Sequence, residues 1–373
     1  MSAVFPTDNV STMAVKNNTV HPYTTALTIL ISTAVSTVIL GIIVGNFFVC
    51  TSTLTQRKLR TVHNWFLVSL AIADLLVGVL IMPLALVNEL LGYWYFERAL
   101  CDLFLSTDIF VCTASILNLC GVAIDRYWAA TNPPDLVEHK EKRRAKIAIA
   151  VVWFLAFLIS VPPLFGWKDS RPWDPDYPQC RYSTDVGYVL FSASGSFFIP
   201  LVAITIAYSK VYSAVTTRLL KKTPCKKPAP TANDHTTHRP AIIIELATPS
   251  AERCDSGNGK TKQSTTLETR RKSMVGHLQS KERFLKKKER RLTLILGIVI
   301  TAFVVCWLPF FVTYVTVTVC ETCAVSDVIF KLFVWLGYCN SAVNPVIYTV
   351  FNKDFVAILA ALRKVVCVGA ACH

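Results

Sequence analysis

The chain has 373 residues, of which 53% are hydrophobic and 17% charged, and it carries a formal net charge of +14. Its mean hydropathy of +0.46 is too high for a water-soluble globule and indicates a membrane protein. Half of the Lys and Arg residues lie between 216 and 291, where aromatic side chains are almost absent, and this argues against nucleic acid as a partner. Anionic inner-leaflet lipid and an acidic protein surface are the expected counterparts.

Seven apolar segments recur along the chain, each long enough to cross a bilayer as a helix. We call them spans one to seven, at 27–54, 64–87, 98–128, 147–166, 187–212, 292–318 and 328–350. They predict an all-α membrane protein, a seven-transmembrane helix bundle with a short amphipathic helix after span seven. The predicted divisions are an extracellular segment at 1–26, spans one to five at 27–212, a disordered basic cytoplasmic loop at 213–284, spans six and seven at 285–350, and a membrane-surface helix with a short tail at 351–373.

Basic residues in the short connections predict the orientation. Three follow span one at 57–60 and five lie at 140–146, whereas the segment before span one contains only Lys16. The positive-inside rule therefore places these connections in the cytoplasm and the N-terminus outside the cell. Asn9 and Asn17 begin glycosylation sequons on that outer side. No cleavable signal peptide is expected, so that span one would serve as the insertion signal.

Span three carries charged residues near both of its ends. Asp108 lies near the outer start, and Asp125, Arg126 and Tyr127 form a triplet at the inner end. The helical rise from Asp108 to Arg126 is about 27 Å, close to the hydrocarbon thickness of a bilayer. A carboxylate within a span is costly and marks a functional site, so Asp108 is predicted to bind a cation.

The outer cysteines predict disulfides. Cys101 starts span three and Cys180 lies in the outer loop before span five, and the oxidising exterior favours a bond between them. Cys320 and Cys323 in the last outer loop are a candidate second pair, since no further ligand pair for zinc lies nearby. On the inner side, Cys367 and Cys372 of the tail are candidate palmitoylation sites.

Seven motifs occur in an order typical of one receptor family. They are Asn46, the LAIAD run ending at Asp74, Asp125-Arg126-Tyr127, Trp153, Pro200 with Tyr208, Cys306-Trp307-Leu308-Pro309, and Asn344-Pro345-Val346-Ile347-Tyr348. Over roughly 25–215 and 283–360 the chain resembles the rhodopsin-like (class A) G-protein-coupled receptors, and within them the biogenic amine receptors. Several runs look most like octopamine, tyramine and alpha-adrenergic receptors.

The resemblance implies an amine site. Asp108 has the position at which aminergic receptors pair a carboxylate with the ligand ammonium. Ser192 and Ser196 have the positions at which receptors for phenolic and catechol amines bind the ring hydroxyls of the ligand. Ala193 replaces a third serine of several catecholamine receptors, which counts against dopamine. Aromatic residues at helical spacing can surround the cation. The remaining expected ligand residues are Cys112, Trp307, Phe310, Phe311, Tyr314, Trp335 and Tyr338, of which Tyr314 is typical of octopamine more than of tyramine receptors.

The resemblance also implies a switch and a sodium pocket. Arg126 and Glu289 hold the positions of an ion pair between spans three and six whose opening admits a G protein. The other switch residues are Asp125, Tyr127, Tyr208, Asn344, Pro345 and Tyr348. Asp74 with Ser115, Asn340, Ser341 and Asn344 resembles the family's sodium pocket, so the one expected cofactor is sodium as an allosteric modulator.

The expected function is a plasma-membrane receptor for octopamine or tyramine that signals through a heterotrimeric G protein, with a long basic third loop and short tail typical of Gi/o coupling. A dopamine, adrenergic or serotonin receptor coupled to Gq or Gs is the alternative. Arrestin, receptor kinases and membrane lipid are further expected partners. No His, Cys and carboxylate set clusters by spacing, so an enzyme is not expected. A seven-span transporter is the remaining alternative, against which the absence of an internal repeat counts.

Overall fold

The fold was obtained as a computed structural model. It describes residues 22–56, 62–131, 138–168, 170, 172–220, 262–320, 322–351, 356 and 358. Within these ranges the regular structure is helical and contains no strand. The sequons at Asn9 and Asn17, most of the predicted tail helix, and the tail cysteines Cys367 and Cys372 lie outside the described residues.

Each predicted span contains a long helix. Five spans are single helices, namely span one at Thr25–Thr55, three at Arg98–Thr131, four at Glu138–Ser160, six within Lys262–Val319 and seven at Asp327–Phe351. Two spans are pairs of helices joined by a π-helical turn, namely span two at Val62–Leu76, Val77–Ile81 and Met82–Leu91, and span five at Val186–Ala193, Ser194–Phe198 and Ile199–Leu220.

Proline residues explain two of the helix boundaries, one in span two and one in span four. Span two contains Pro83, and the π-helical turn Val77–Ile81 ends just before it, where Met82 N–H donates to Val77 O. Proline cannot donate to the preceding turn, and a widened turn accommodates it. Span four was predicted to reach residue 166, but its helix ends at Ser160 because Pro162 and Pro163 follow in a 3₁₀ turn.

Five helices of the described chain are long and apolar enough by themselves to cross a membrane. They are Thr25–Thr55, Asn64–Leu91, Arg98–Ala129, Val186–Thr217 and Thr293–Val319. The helix of span four begins in the basic connection, and that of span seven buries three polar residues, Asn340, Ser341 and Asn344. These charged and polar residues lower the hydropathy of the two helices.

The described residues up to Val215 and from Arg291 onward form one compact unit, and those of Thr216–Arg290 form a second. In the first unit, span three packs against spans two and four, and span one against spans two and seven. Gly45 permits the last of these contacts, since a Cβ there would lie 2.8 Å from Pro345 Cγ. Asn46 then donates from Nδ2 to Ser341 O at 3.1 Å across the same contact.

Parts of the loop that was predicted to be disordered, at 213–284, are helical. Helix extends into the basic loop from both sides, to Leu220 from span five and from Lys262 toward span six. The stretch from Lys262 to Arg290 is rich in Lys, Arg, Glu, Gln and Leu, which are strong helix formers, and it contains no proline. Residues 221–261, including the rest of the predicted disordered loop, lie outside the described residues.

Candidate functional site

Both disulfides occupy the same end of the bundle, which we call the disulfide end. Cys101 is bonded to Cys180 with Cα atoms 5.7 Å apart, and Cys320 to Cys323 with Cα atoms 5.3 Å apart, as the sequence predicted. The first bond ties the loop before span five to the start of span three. That loop is thereby held close to Asp108, two helical turns along span three.

A cavity of about 500 Å³, counted out to its open mouth, lies among spans three, five, six and seven. The lining includes these predicted ligand residues: Asp108, Cys112, Ser192, Ser196, Trp307, Phe310, Phe311, Tyr314 and Tyr338. The sequence did not predict the other lining residues, Ile109, Thr113, Ile116, Tyr182 and Val334. Trp335 is not in the lining, and its ring instead packs edge-on against Tyr338 with centroids 5.6 Å apart.

Asp108 is 3% exposed and lies at the centre of a hydrogen-bonded cluster. Its Oδ2 accepts hydrogen bonds from the Tyr182 hydroxyl and, at 2.9 Å, from the Tyr338 hydroxyl. Its Oδ1 accepts from Cys112 Sγ at 3.3 Å. All three donors are neutral, so these bonds solvate the carboxylate without cancelling its charge. A buried carboxylate in such surroundings favours the approach of a cation.

Aromatic rings from span six form one wall of the cavity. Phe310 stacks on Tyr314 with centroids 5.5 Å apart and meets Phe311 edge-on at 5.1 Å. Trp307 lies beneath them, 5.8 Å from Phe311. Gly337 of span seven makes room for it, because a Cβ there would lie 2.7 Å from the Trp307 ring. Such a wall can hold an apolar ring and attract a cation through its faces.

The two serines of span five line the opposite side, but they have different partners. Ser192 donates from Oγ to Val189 O, one turn back in its own helix, at 3.3 Å. Ser196 lies in the π-helical turn, and its Oγ is 2.7 Å from Thr113 Oγ1 of span three. Both serines are buried. Their hydroxyls can bond a polar group on the ring of a ligand.

Tyr182 is a site residue that sequence reasoning missed. It follows Cys180 by two residues, and its ring lies 5.9 Å from Phe310, 6.0 Å from Tyr314 and 6.5 Å from Phe330. Burial and the Asp108 carboxylate raise the pKa of Tyr182 well above its usual value, so its hydroxyl keeps the proton that it donates. The sequence did contain a signal for Tyr182, since it is an aromatic residue two positions after Cys180, the cysteine expected to form a disulfide with the start of span three.

A second buried carboxylate lies deeper in the bundle. Asp74 is fully buried, and it accepts hydrogen bonds from Ser115 Oγ at 2.9 Å, Ser341 Oγ at 2.8 Å and Asn344 Nδ2 at 2.8 Å. Asn340 is also buried, but among the described residues no hydrogen bond joins it to Asp74. Four of the five residues of the predicted sodium pocket are thus in direct contact.

The predicted switch residues are only partly described. Asp125, Arg126 and Tyr127 are half-buried at the end of the bundle opposite the disulfides. Tyr208 of span five approaches span six closely, since a Cβ at Gly297 would lie 2.6 Å from its hydroxyl oxygen. The side chains of Glu289 and Tyr348 lie outside the described residues, and the ion pair of Arg126 with Glu289 stays a prediction. Pro345 packs on Gly45.

Comparison with known proteins establishes the family. The family described as "7 transmembrane receptor (rhodopsin family)" matches residues 45–348, most of the chain. The chain therefore belongs to this family of multi-pass membrane receptors, and the receptor class predicted from the motifs is confirmed. Its family is one of receptors and not of enzymes.

Three similar proteins show where the chain falls within the family. The "Probable G-protein coupled receptor No18" of Amphibalanus amphitrite is 39% identical over 85% of each chain. The "Alpha-2Da adrenergic receptor" of Danio rerio is 36% identical over 98% of each. The "Octopamine receptor" of Heliothis virescens is 33% identical over 88% of this chain and 87% of the relative.

Proposed function

We propose that this protein is a receptor for a biogenic amine, which binds with its ammonium on Asp108, and that it signals to a heterotrimeric G protein. The observation that carries the proposal is a buried carboxylate with three neutral donors, facing a cavity walled by aromatic rings. The names of the octopamine and adrenergic relatives support it. The proposal includes a plasma-membrane location with an extracellular N-terminus, an orientation that the basic inner connections support.

The amine would lie across the cavity from span three to span five. A protonated amine forms charge-assisted hydrogen bonds with a carboxylate, and these are stronger than bonds from the neutral tyrosines. The apolar ring of the ligand then fits beside Phe310 and Phe311. A ring hydroxyl reaches Ser192 or Ser196, which line the far side of the same cavity.

Octopamine and tyramine rank first among the amines. Each carries one ring hydroxyl, which Ser192 or Ser196 can satisfy without a serine at the position of Ala193. The relative from Heliothis virescens named "Octopamine receptor" agrees with this order. Noradrenaline, dopamine and serotonin are the alternatives, and the "Alpha-2Da adrenergic receptor" of Danio rerio favours the first of them.

Signal transfer would run through span six. Amine binding draws span five inward and turns the rings around Trp307, and Pro309 in the same helix is the point where span six can bend. Opening of the pair formed by Arg126 and Glu289 would then expose the G-protein site. The long basic loop and short tail favour the Gi/o class. We also propose that receptor kinases and arrestin bind the receptor, that lipid contacts its inner surface, and that palmitate is attached to the tail cysteines.

Sodium is the proposed allosteric ion. A hard cation prefers oxygen ligands, and Asp74 with Ser115 and Ser341 offers carboxylate and hydroxyl oxygens, to which Asn340 and Asn344 add amide oxygens. The described hydrogen-bond partners of Asp74 are neutral, so an ion would supply the missing positive charge. These residues therefore fit a sodium ion that stabilises the resting receptor.

Exchange of Asp108 for Asn tests the proposal directly. The amide fits the same space, but loss of a charged hydrogen bond of about 1.5–3 kcal/mol, together with the desolvation cost of the unpaired ammonium, is expected to weaken amine binding roughly tenfold to a thousandfold. The measurement is competition binding of octopamine, tyramine, noradrenaline and serotonin to membranes with equal receptor content. Asp102→Asn is the matched control, because Asp102 lies in the same helix but pairs with Lys168 at 2.6 Å, outside the cavity lining. Unchanged amine affinity in Asp108→Asn would refute the assignment.

A further inference from the structure

We propose that the Tyr182 hydroxyl occupies the ammonium position on Asp108 in the unliganded receptor, and that an incoming amine must displace it. Tyr182 would then be an internal competitor that sets the affinity of the receptor. The proposal takes Asp108 as the partner of the amine and so rests on the proposed function. It adds a residue of the loop, two positions after Cys180, to the determinants of binding.

The first argument is that the Asp108 carboxylate already accepts several hydrogen bonds from the receptor itself. Asp108 Oδ2 already accepts from both Tyr182 and Tyr338, and Oδ1 accepts from Cys112. A carboxylate offers about four acceptor positions, so three of them are taken before a ligand arrives. An ammonium brings up to three donors of its own. It cannot bond both oxygens well unless one of the present donors leaves.

The second argument identifies the donor that leaves. Cys112 lies one turn from Asp108 in the same helix, and Tyr338 is 2% exposed within the helix of span seven. Both side chains are buried among the helices of the bundle. Tyr182 belongs to a loop segment without helix or strand, and it reaches Asp108 from the disulfide end, where the amine would enter. Its hydroxyl is therefore the donor that yields.

The third argument is that consecutive loop residues are tied to different spans. We call residues 180–183 the strap. Cys180 is bonded to Cys101 of span three, and Arg181 Nη2 lies 3.6 Å from Asp327 Oδ2 at the start of span seven. The carbonyl oxygen of Ser183 accepts a hydrogen bond from the Tyr314 hydroxyl of span six at 2.7 Å. The strap thus holds Tyr182 over Asp108 when no amine is bound.

The consequence is a lowered apparent affinity. A site that is open in only a fraction of the molecules binds its ligand more weakly by that fraction. Tyr182→Phe keeps the ring against Phe310 and removes only the hydroxyl, so it should raise the fraction of open sites. We expect the affinity for amines to increase about tenfold, which corresponds to about 1.4 kcal/mol.

The test is competition binding of octopamine, noradrenaline and serotonin to membranes that contain the wild-type receptor or a variant. Tyr177→Phe is the matched control, because Tyr177 lies in the same loop and donates its hydroxyl to Gly92 O at 3.0 Å, away from the cavity. It should leave every affinity unchanged. Unchanged or weaker amine binding in Tyr182→Phe would overturn the proposal, since the hydroxyl would then be neutral or would assist the ligand.

Thermal unfolding of the purified receptor supplies a second readout. The hydroxyl bonds Asp108 only in the unliganded state, so Tyr182→Phe should lower the unliganded Tm and leave the Tm at saturating amine equal to that of the wild type. A merely structural hydroxyl would lower both values, and an unaltered unliganded Tm would contradict the bond itself. Asp108→Asn separates the two proposals. If it abolishes amine binding while Tyr182→Phe changes nothing, only the competitor role of Tyr182 is wrong.

Discussion

Ser192 and Ser196 are equivalent in the sequence pattern but not in the folded receptor. Ser196 is 2.7 Å from Thr113 Oγ1, a bond that joins spans five and three, whereas Ser192 has a longer bond of 3.3 Å to Val189 O in its own helix. Breaking the first bond leaves a buried hydroxyl of span three without its partner, which costs free energy. Ser192 is therefore the serine that can turn toward a ligand at the lower cost.

Ser192→Ala should reduce octopamine affinity about three- to tenfold, the value of one net hydrogen bond of about 0.5–1.5 kcal/mol. The matched ligand is phenylethanolamine, which is octopamine without its ring hydroxyl and should bind the variant and the wild type equally. Competition binding of both amines measures the difference. An equal loss for the two amines would mean that Ser192 supports the helix and does not meet the ring hydroxyl.

The sequence predicted nine of the residues that line the cavity, and the residues that it missed or misplaced have physical reasons. Asp108 was predicted because a carboxylate within a span is costly, and the aromatic residues of span six were predicted because helical spacing fixes which side chains share a face. Tyr182 was missed because its position depends on the path of a loop without regular structure, which spacing does not describe. Trp335 was placed with Tyr338 by the same spacing rule, but its ring packs on Tyr338 and not on the cavity.

Irregular turns and glycines position the spans. The π-helical turn Ser194–Phe198 lies within the part of span five that faces the cavity, and Val77–Ile81 precedes Pro83 in span two. Neither turn could be predicted from a hydrophobic pattern, because one extra residue in a turn leaves composition unchanged. The glycine contacts, at Gly45 against Pro345 and at Gly337 against Trp307, were likewise visible only in the packed helices.

Span one contains two glycines with different surroundings. A Cβ at Gly45 would lie 2.8 Å from Pro345 Cγ, whereas a Cβ at Gly41 would meet nothing within 4 Å. Gly45→Ala should therefore destabilise the receptor by about 1–3 kcal/mol through overpacking. Gly41→Ala is its matched control and should be neutral or stabilising by up to about 1 kcal/mol, since alanine is the better helix former. The Tm of the two purified variants gives the comparison, and equal values would argue against a tight contact of spans one and seven.

At the scale of the whole molecule, hydropathy predicted the seven-helix architecture, and the family match agrees with it. Five helices are apolar enough to be recognised individually, whereas those of spans four and seven carry charged or polar residues. The polar residues of span seven face Asp74 inside the bundle, so the neighbouring helices shield them. Hydropathy could not show which ligand enters the bundle, since that depends on a few hydroxyl positions.

A panel of amines applied to cells that express the full chain tests ligand ranking and coupling together. Octopamine and tyramine should act at lower concentrations than dopamine, noradrenaline and serotonin, because one ring hydroxyl suffices for Ser192 or Ser196. Cyclic AMP should fall, as expected for Gi/o. Cells without the receptor are the control. Higher potency of dopamine or serotonin would reverse the ranking, and a rise in cyclic AMP, or in calcium after Gi/o inactivation, would contradict the coupling.

The strap also limits how the length of this loop can vary. Cys180, Arg181, Tyr182 and Ser183 each meet a partner in a different place, so one inserted or deleted residue among them would bring the wrong side chain to Asp108. The residues just before Cys180 are also held in place, since Trp94 N–H donates to Pro178 O at 2.8 Å and the Tyr177 hydroxyl donates to Gly92 O at 3.0 Å. Receptors related by descent are therefore expected to keep the number of residues between Cys180 and Ser183 constant.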